Sequence, residues 1–119
     1  MANLELSPRY REVNGPQEAC GITAIFSKTG EPVSPMTPSL QSQLQHRGAD
    51  SAGMSTVSNG NINTFVGLGK VAEVFPQNFP FGEHGLISDR AIGHNRYGTS
   101  GGDNKDDSHG AQPITAEWC

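Results

Sequence analysis

From residue 20 onward the chain falls into short apolar stretches separated by glycine, proline and polar punctuation. "CGITAIFS" (20–27) is rich in β-branched and aromatic types and has the length of a strand, which it predicts. "KTGEPVSPMTP" (28–38) is a turn-rich connector. In "SLQSQLQHRG" (39–48) Leu40 and Leu44 recur four apart, Ser39 stands where an N-cap belongs and Gly48 where a helix stops, so a short helix is expected. "AGMSTVS" and "INTFVGLG" flank the turn-like "NGN" and predict a hairpin. "KVAEVFPQNF" (70–79) starts as a helix that Pro76 interrupts within about two turns. "RAIGHNRYGTSGG" (90–102) reads as a strand running into a glycine loop, and "DNKDDSHGAQP" (103–113) as a polar loop. Strands alternating loosely with two short helices suggest an α/β sheet. Residues 1–19 are polar, carry Pro8 and Pro16 and show no sustained periodicity, which marks an irregular, removable or disordered leader. "AQPITAEWC" opens like another strand and then stops, so further strands and covering helices are expected beyond it.

Composition narrows the partners. The 119 residues are 34% hydrophobic with 15 Gly and 8 Pro, which fits a small loop-rich domain or a piece of a larger one. A net charge of −4 gives no basic footprint for nucleic acid or an anionic membrane, and small neutral or zwitterionic ligands are easier to accommodate. No apolar run approaches the ~18 residues of a membrane span, and the first residues lack the apolar core of a signal peptide. A soluble, cytoplasmic protein is expected. In that setting Cys20 and Cys119 read as reduced thiols rather than a disulfide.

The candidate chemistry begins at Cys20. A lone cysteine before a glycine behaves as a small inert hydrophobe in many proteins. If the leader ended at Ala19, however, Cys20 would open a mature chain and carry its own base. Its α-amine, with a reference pKa of about 7.7–8.0, can take a proton from the thiol or pass one to a leaving amine. Gly98-Thr99-Ser100-Gly101-Gly102 fits the nucleophile-elbow pattern G-x-S-x-G, but no helix former follows and His109 is too close, so a glycine turn is the better reading. Gly67-Leu68-Gly69-Lys70-Val71-Ala72 fits the loose dinucleotide pattern, yet Pro76 cuts short the helix that would face a pyrophosphate; these glycines read as strand-end turns. His46, His84, His94 and His109, with Asp103, Asp106 and Asp107, show no ligand spacing, and no metal site is expected. Two arginine segments remain. "LQHRGADSAGM" sets Arg47 and Asp50 around Gly48, and "IGHNRYGTSGG" sets Arg96 beside Tyr97, Thr99 and Ser100. Each arginine either offers a fork of donors to a carboxylate or serves a structural pair such as Arg47 with Asp50.

Taken together, "CGITAIF", "LQHRGADSAGM", "GLGKVAEVF" and "IGHNRYGTSG…AQP" resemble, in order and approximate spacing over residues 20–114, the class II glutamine amidotransferase domain, and within that family the amidophosphoribosyltransferase branch. The glucosamine-phosphate synthases share the plan but typically differ at the "QH" before "RG" and at "NRY". The resemblance implies an α+β fold, the N-terminal-nucleophile hydrolase sandwich of four layers (αββα), of which residues 20–119 would be the N-terminal part. It also implies a propeptide over residues 1–19. Cys20 carries over as the nucleophile that attacks the glutamine carboxamide and Arg96 as the group binding the glutamine α-carboxylate. Tyr97 and Thr99 help shape that pocket, and Arg47 positions the nucleophile. The implied partners are L-glutamine and, through a domain not in this chain, phosphoribosyl pyrophosphate with Mg2+; this segment itself needs no cofactor, and the complete protein is expected to be a homo-oligomer. Beyond "AQP" the family supplies an Asn-Gly oxyanion hole and an aspartate for the glutamine amine, neither of which falls within 119 residues, so the chain alone is expected to be inactive. Gly110 also departs from the asparagine often found there. Two other expectations stand beside this one: a truncated, non-catalytic module that binds glutamine or a partner, and the glutaminase domain of another amidotransferase.

Overall fold

The computed structural model describes residues 20–97 and 110–116. Four strands form one sheet: β1 (Gly21–Phe26), β2 (Ser51–Ser58), β3 (Asn61–Leu68) and β4 (Arg90–Arg96), in the order β1-β4-β2-β3. Every pairing is antiparallel, which corrects the α/β sheet suggested by the alternation of strands and helices and agrees with the α+β class implied by the resemblance. The reason lies in the connections. The predicted hairpin is present as β2 and β3, closed by Ser58↔Asn61 around a two-residue turn in which Asn59 (φ 51°) and Gly60 (φ 78°) both take positive φ. That turn matches the natural twist of paired strands and favours Asn-Gly.

The helices are short. α1 (Thr37–Gln43) begins two residues before Ser39, which therefore is not its cap. A 3-10 turn, Ser34–Met36, feeds straight into it, and Pro38 falls in the first turn of α1, where a helix tolerates proline best. A second 3-10 turn, Gln45–Arg47, ends the segment before Gly48. α2 (Val71–Val74) is only four residues long, consistent with Pro76 behind it. Gly69, at φ 109°, closes β3 before α2, the strand-end turn expected there.

Register divides the sheet into two faces. One presents Thr23, Ile25, Ala52, Met54, Phe65, Ala91, Gly93 and Asn95 to the helices. The core gathers on it: Ala52, Met54 and Ala91 meet Val71, Val74, Phe75, Phe79 and Leu86, with Phe65 and Phe81 packed alongside. Phe79 joins this aromatic cluster edge-on to Phe65, Phe75 and Phe81 at centroid distances of 4.9–5.0 Å. Polar groups bind the helical layer to the sheet as well. Gln41 is fully buried and donates through Nε2 to the Gly53 carbonyl at 2.9 Å, while Asn95 Nδ2 donates to the Gln41 carbonyl at 2.8 Å. Ser34, also buried, donates to Leu86 O at 2.6 Å and accepts from the Ser88 N–H at 2.7 Å, which ties the connector to the approach of β4.

Candidate active site

Cys20 stands immediately before β1, and β1 pairs with β4 up to Gly21↔Asn95. One step further along that antiparallel ladder brings Cys20 level with Arg96. The thiol is exposed and faces the Tyr97 main chain: the Tyr97 N–H donates to Cys20 Sγ at 3.4 Å, and the thiol points at the Tyr97 carbonyl at 3.9 Å. A main-chain donor thus lies where a thiolate would carry its charge.

The loop after α1 completes the surroundings. Arg47 Nε donates to the Cys20 carbonyl at 3.4 Å. The following glycine allows that approach: a Cβ on Gly48 would lie 2.5 Å from the Arg96 carbonyl carbon and oxygen, so only glycine lets this loop run against the end of β4. Asp50 N–H then donates to the Arg96 carbonyl at 3.2 Å, and the Asp50 carbonyl accepts from Gly69 N–H at 2.9 Å. Two arginines therefore flank Cys20, one on the loop after α1 through the Cys20 carbonyl and one at the end of β4 across the ladder.

Residues 110–113 return across the face of the sheet opposite the helices. Gly53 belongs to that face, and a Cβ there would run into the Gln112 carbonyl oxygen and come within 2.6 Å of Val66 Cγ1. Gly110 lies against the Arg96 guanidinium. His94 projects from the same face as Arg96, is 7% exposed, and its Nδ1 has no hydrogen-bond partner among the described residues. Burial, reinforced by the Arg96 charge, holds its pKa below the ordinary imidazole value.

Of the residues singled out from the sequence, Cys20, Arg47, Arg96 and Tyr97 converge at this end of the sheet. Thr99 lies outside the described residues, as do the leader, the rest of the Gly98–Gly102 loop, His109 with its neighbouring aspartates, and Cys119. Sequence reasoning missed the Tyr97 main-chain N–H, the burial of His94 beside Arg96 and the return of 110–113 over Gly53. An isolated glycine inside a strand signals close backbone approach, and Gly53 was the clue to the last of these. Among the described residues no three His, Cys, Asp or Glu side chains gather as a metal site, and no helix is long and apolar enough to cross a membrane.

No family model matches the chain. Individual proteins do. It is 34% identical over 91 residues to an amidophosphoribosyltransferase of Mycobacterium bovis, covering 76% of this chain and 16% of that protein. An amidophosphoribosyltransferase of Synechocystis is 36% identical over 86 residues, 72% of this chain and 17% of the relative. Another, of Methanothermobacter thermautotrophicus, is 37% identical over 106 residues, 86% and 20% respectively. Among solved structures, one described as the allosteric regulatory enzyme of purine biosynthesis superimposes with a TM-score of 0.52 at 35% identity, covering 68% of this chain and 16% of that one. The chain thus spans a fifth or less of the length of these relatives.

Proposed function

The chain belongs to the class II glutamine amidotransferases and, within them, to the amidophosphoribosyltransferase family, and from that premise we propose that it is the glutaminase portion of an amidophosphoribosyltransferase. The observation that carries the proposal is the Cys20 thiol at the head of the first strand, met by the Tyr97 N–H at 3.4 Å. The Cys20 thiolate attacks the carboxamide carbon of glutamine; the carbon–nitrogen bond breaks as the nitrogen takes up a proton, and ammonia leaves a γ-glutamyl thioester. Water then hydrolyses the thioester to glutamate and restores the thiol. Removal of residues 1–19 would give Cys20 a free α-amine, the nearest proton acceptor for the thiol and donor to the departing ammonia.

Arg96 takes the α-carboxylate of glutamine, with Tyr97 and Thr99 shaping the pocket around it. Arg47 is a positioning residue, a role supported by its hydrogen bond to the Cys20 carbonyl. Ammonia would pass to phosphoribosyl pyrophosphate on a further domain, where Mg2+ is expected, as a step of purine nucleotide biosynthesis in a cytoplasmic homo-oligomer. No residue of this chain is assigned to the pyrophosphate or to the metal.

In the full-length protein, Cys20→Ala should abolish glutamine-dependent formation of phosphoribosylamine and leave the ammonia-dependent reaction intact. Mass spectrometry of the active protein should find Cys20 as its first residue. Full glutamine-dependent activity from a protein still carrying Met1 to Ala19 would overturn the role of the α-amine. Glutamine binding without hydrolysis would instead support a non-catalytic module, and transfer to a sugar phosphate would overturn the acceptor.

A further inference from the structure

Three layers meet at the candidate site, and each contact depends on a missing side chain. The sheet is the first. Because Gly53 has no Cβ, the Gln112 carbonyl can lie directly on β2 beside Val66, which seats the 110–113 segment on the strand. Ala111, within that segment, is buried at 6% exposure, so the segment is docked rather than passing loosely overhead. The Arg96 guanidinium forms the third layer. A Cβ on Gly110 would fall against its Cζ and only 2.5 and 2.6 Å from Nη2 and Nη1, well inside the separation at which carbon and nitrogen can coexist. Cζ and both Nη atoms lie at nearly the same distance from that position, so the guanidinium turns its flat side toward residue 110.

We propose that Gly110 is a positioning residue whose bare backbone sets where the Arg96 guanidinium stands, and so fixes the reach of this site toward an α-amino acid carrying a free α-carboxylate. The proposal rests on the assignment of Arg96 to the glutamine carboxylate. A guanidinium binds a carboxylate through two parallel N–H···O bonds, and that geometry tolerates little displacement. The end of an arginine side chain yields easily, however. A methyl group at position 110 should push the guanidinium aside without unfolding the sheet, and the damage should fall on recognition of the carboxylate alone.

The test compares two reagents at the same sulfur in the full-length protein, followed on the Cys20 peptide by mass spectrometry. Diazo-oxo-norleucine is an α-amino acid of glutamine shape: its diazo carbon takes up a proton, the thiolate displaces dinitrogen, and a thioether forms. Iodoacetamide alkylates the same thiol with loss of iodide and carries no carboxylate. Gly110→Ala should slow labelling by the diazoketone at low concentration by roughly tenfold, the scale of one weakened charge-assisted pair. Alkylation by iodoacetamide and the thermal midpoint should stay at their wild-type values. Gly82→Ala, at a glycine with open space around it, should change none of the three. Equal diazoketone labelling of wild type and Gly110→Ala, an equal loss of both reagents, or a lowered midpoint would each overturn the positioning role while leaving the glutaminase assignment standing. Wild-type labelling by the diazoketone that glutamine does not protect would overturn the glutamine site itself and this inference with it.

Discussion

At the residue scale, His94 is the group whose ionisation the fold opposes. It is buried on the face it shares with Arg96, and both the loss of water and the neighbouring positive charge disfavour imidazolium. The unfolded chain therefore binds a proton at this position more readily than the folded one. Stability is fully present above the unfolded value of 6.5 and declines as pH falls below it toward the lowered folded value. Urea unfolding measured between about pH 5 and pH 8 should show this decline, with a slope no steeper than ~1.4 kcal/mol per pH unit for one proton, and His94→Gln should flatten it. A wild-type profile indistinguishable from that of the variant would show that His94 is not the cause. Asp89 does not contribute in this window, because its hydrogen bond from Arg90 holds its carboxylate below the ordinary 3.8. Cys20 and the arginines were legible in the sequence because their chemistry resides in side chains. The N–H of Tyr97 was not, since every residue but proline offers one and only the fold decides which meets the sulfur.

At the scale of elements, α1 shows how a correct element can hide its packing. Leu40 and Leu44 mark the helical period, yet Leu40 remains 38% exposed while Thr37 and Gln41, also four apart, are buried. The cause is on the sheet. A Cβ on Gly93 would lie 2.7 Å from Gln41 Cδ, so the absent side chain opens a space that the carboxamide fills with its hydrogen bond to Gly53. Gln41→Ala would leave that space empty and remove the side-chain hydrogen bond to the Gly53 carbonyl. A loss of about 2–4 kcal/mol in unfolding free energy is expected from the cavity and the lost bond together, measurable by denaturant titration. A loss under ~1 kcal/mol would mean that α1 is held mainly by its apolar contacts. The hairpin was legible down to its turn because Asn-Gly encodes positive φ locally. The inward face of α1 was not, because the signal for it, Gly93, lies 52 positions from Gln41 in the chain.

At the scale of the whole molecule, the antiparallel order β1-β4-β2-β3 could not be read from strand count alone, and the alternation of strands with short helices pointed to a different sheet. The resemblance supplied what periodicity lacked: the class of fold in which a nucleophile opens the first strand. That class stacks two sheets, and the face of this sheet away from its helices, outside the part that residues 110–113 cover, has the character such a neighbour needs. Ile22 is 74% and Phe26 70% exposed; Val57, Ile62 and Ile92 are exposed with them, around an apolar recess that Ala24 also lines. Register puts Ile22, Ala24 and Phe26 on one side of β1, with Ile92 opposite Ala24, so these residues form a contiguous patch and not scattered surface positions. Contiguous apolar surface of this kind drives association when nothing covers it. The 119-residue chain on its own should accordingly bind an anilinonaphthalene dye and elute above monomer size at micromolar concentration. Replacing Phe26 by Ser and Ile92 by Thr should reduce both effects while keeping the far-ultraviolet dichroism of the sheet, since both side chains point away from the helical core. A monodisperse monomer that leaves the dye dark would show that this face is already covered within the chain, and the expectation of a stacked partner sheet would then have to be given up.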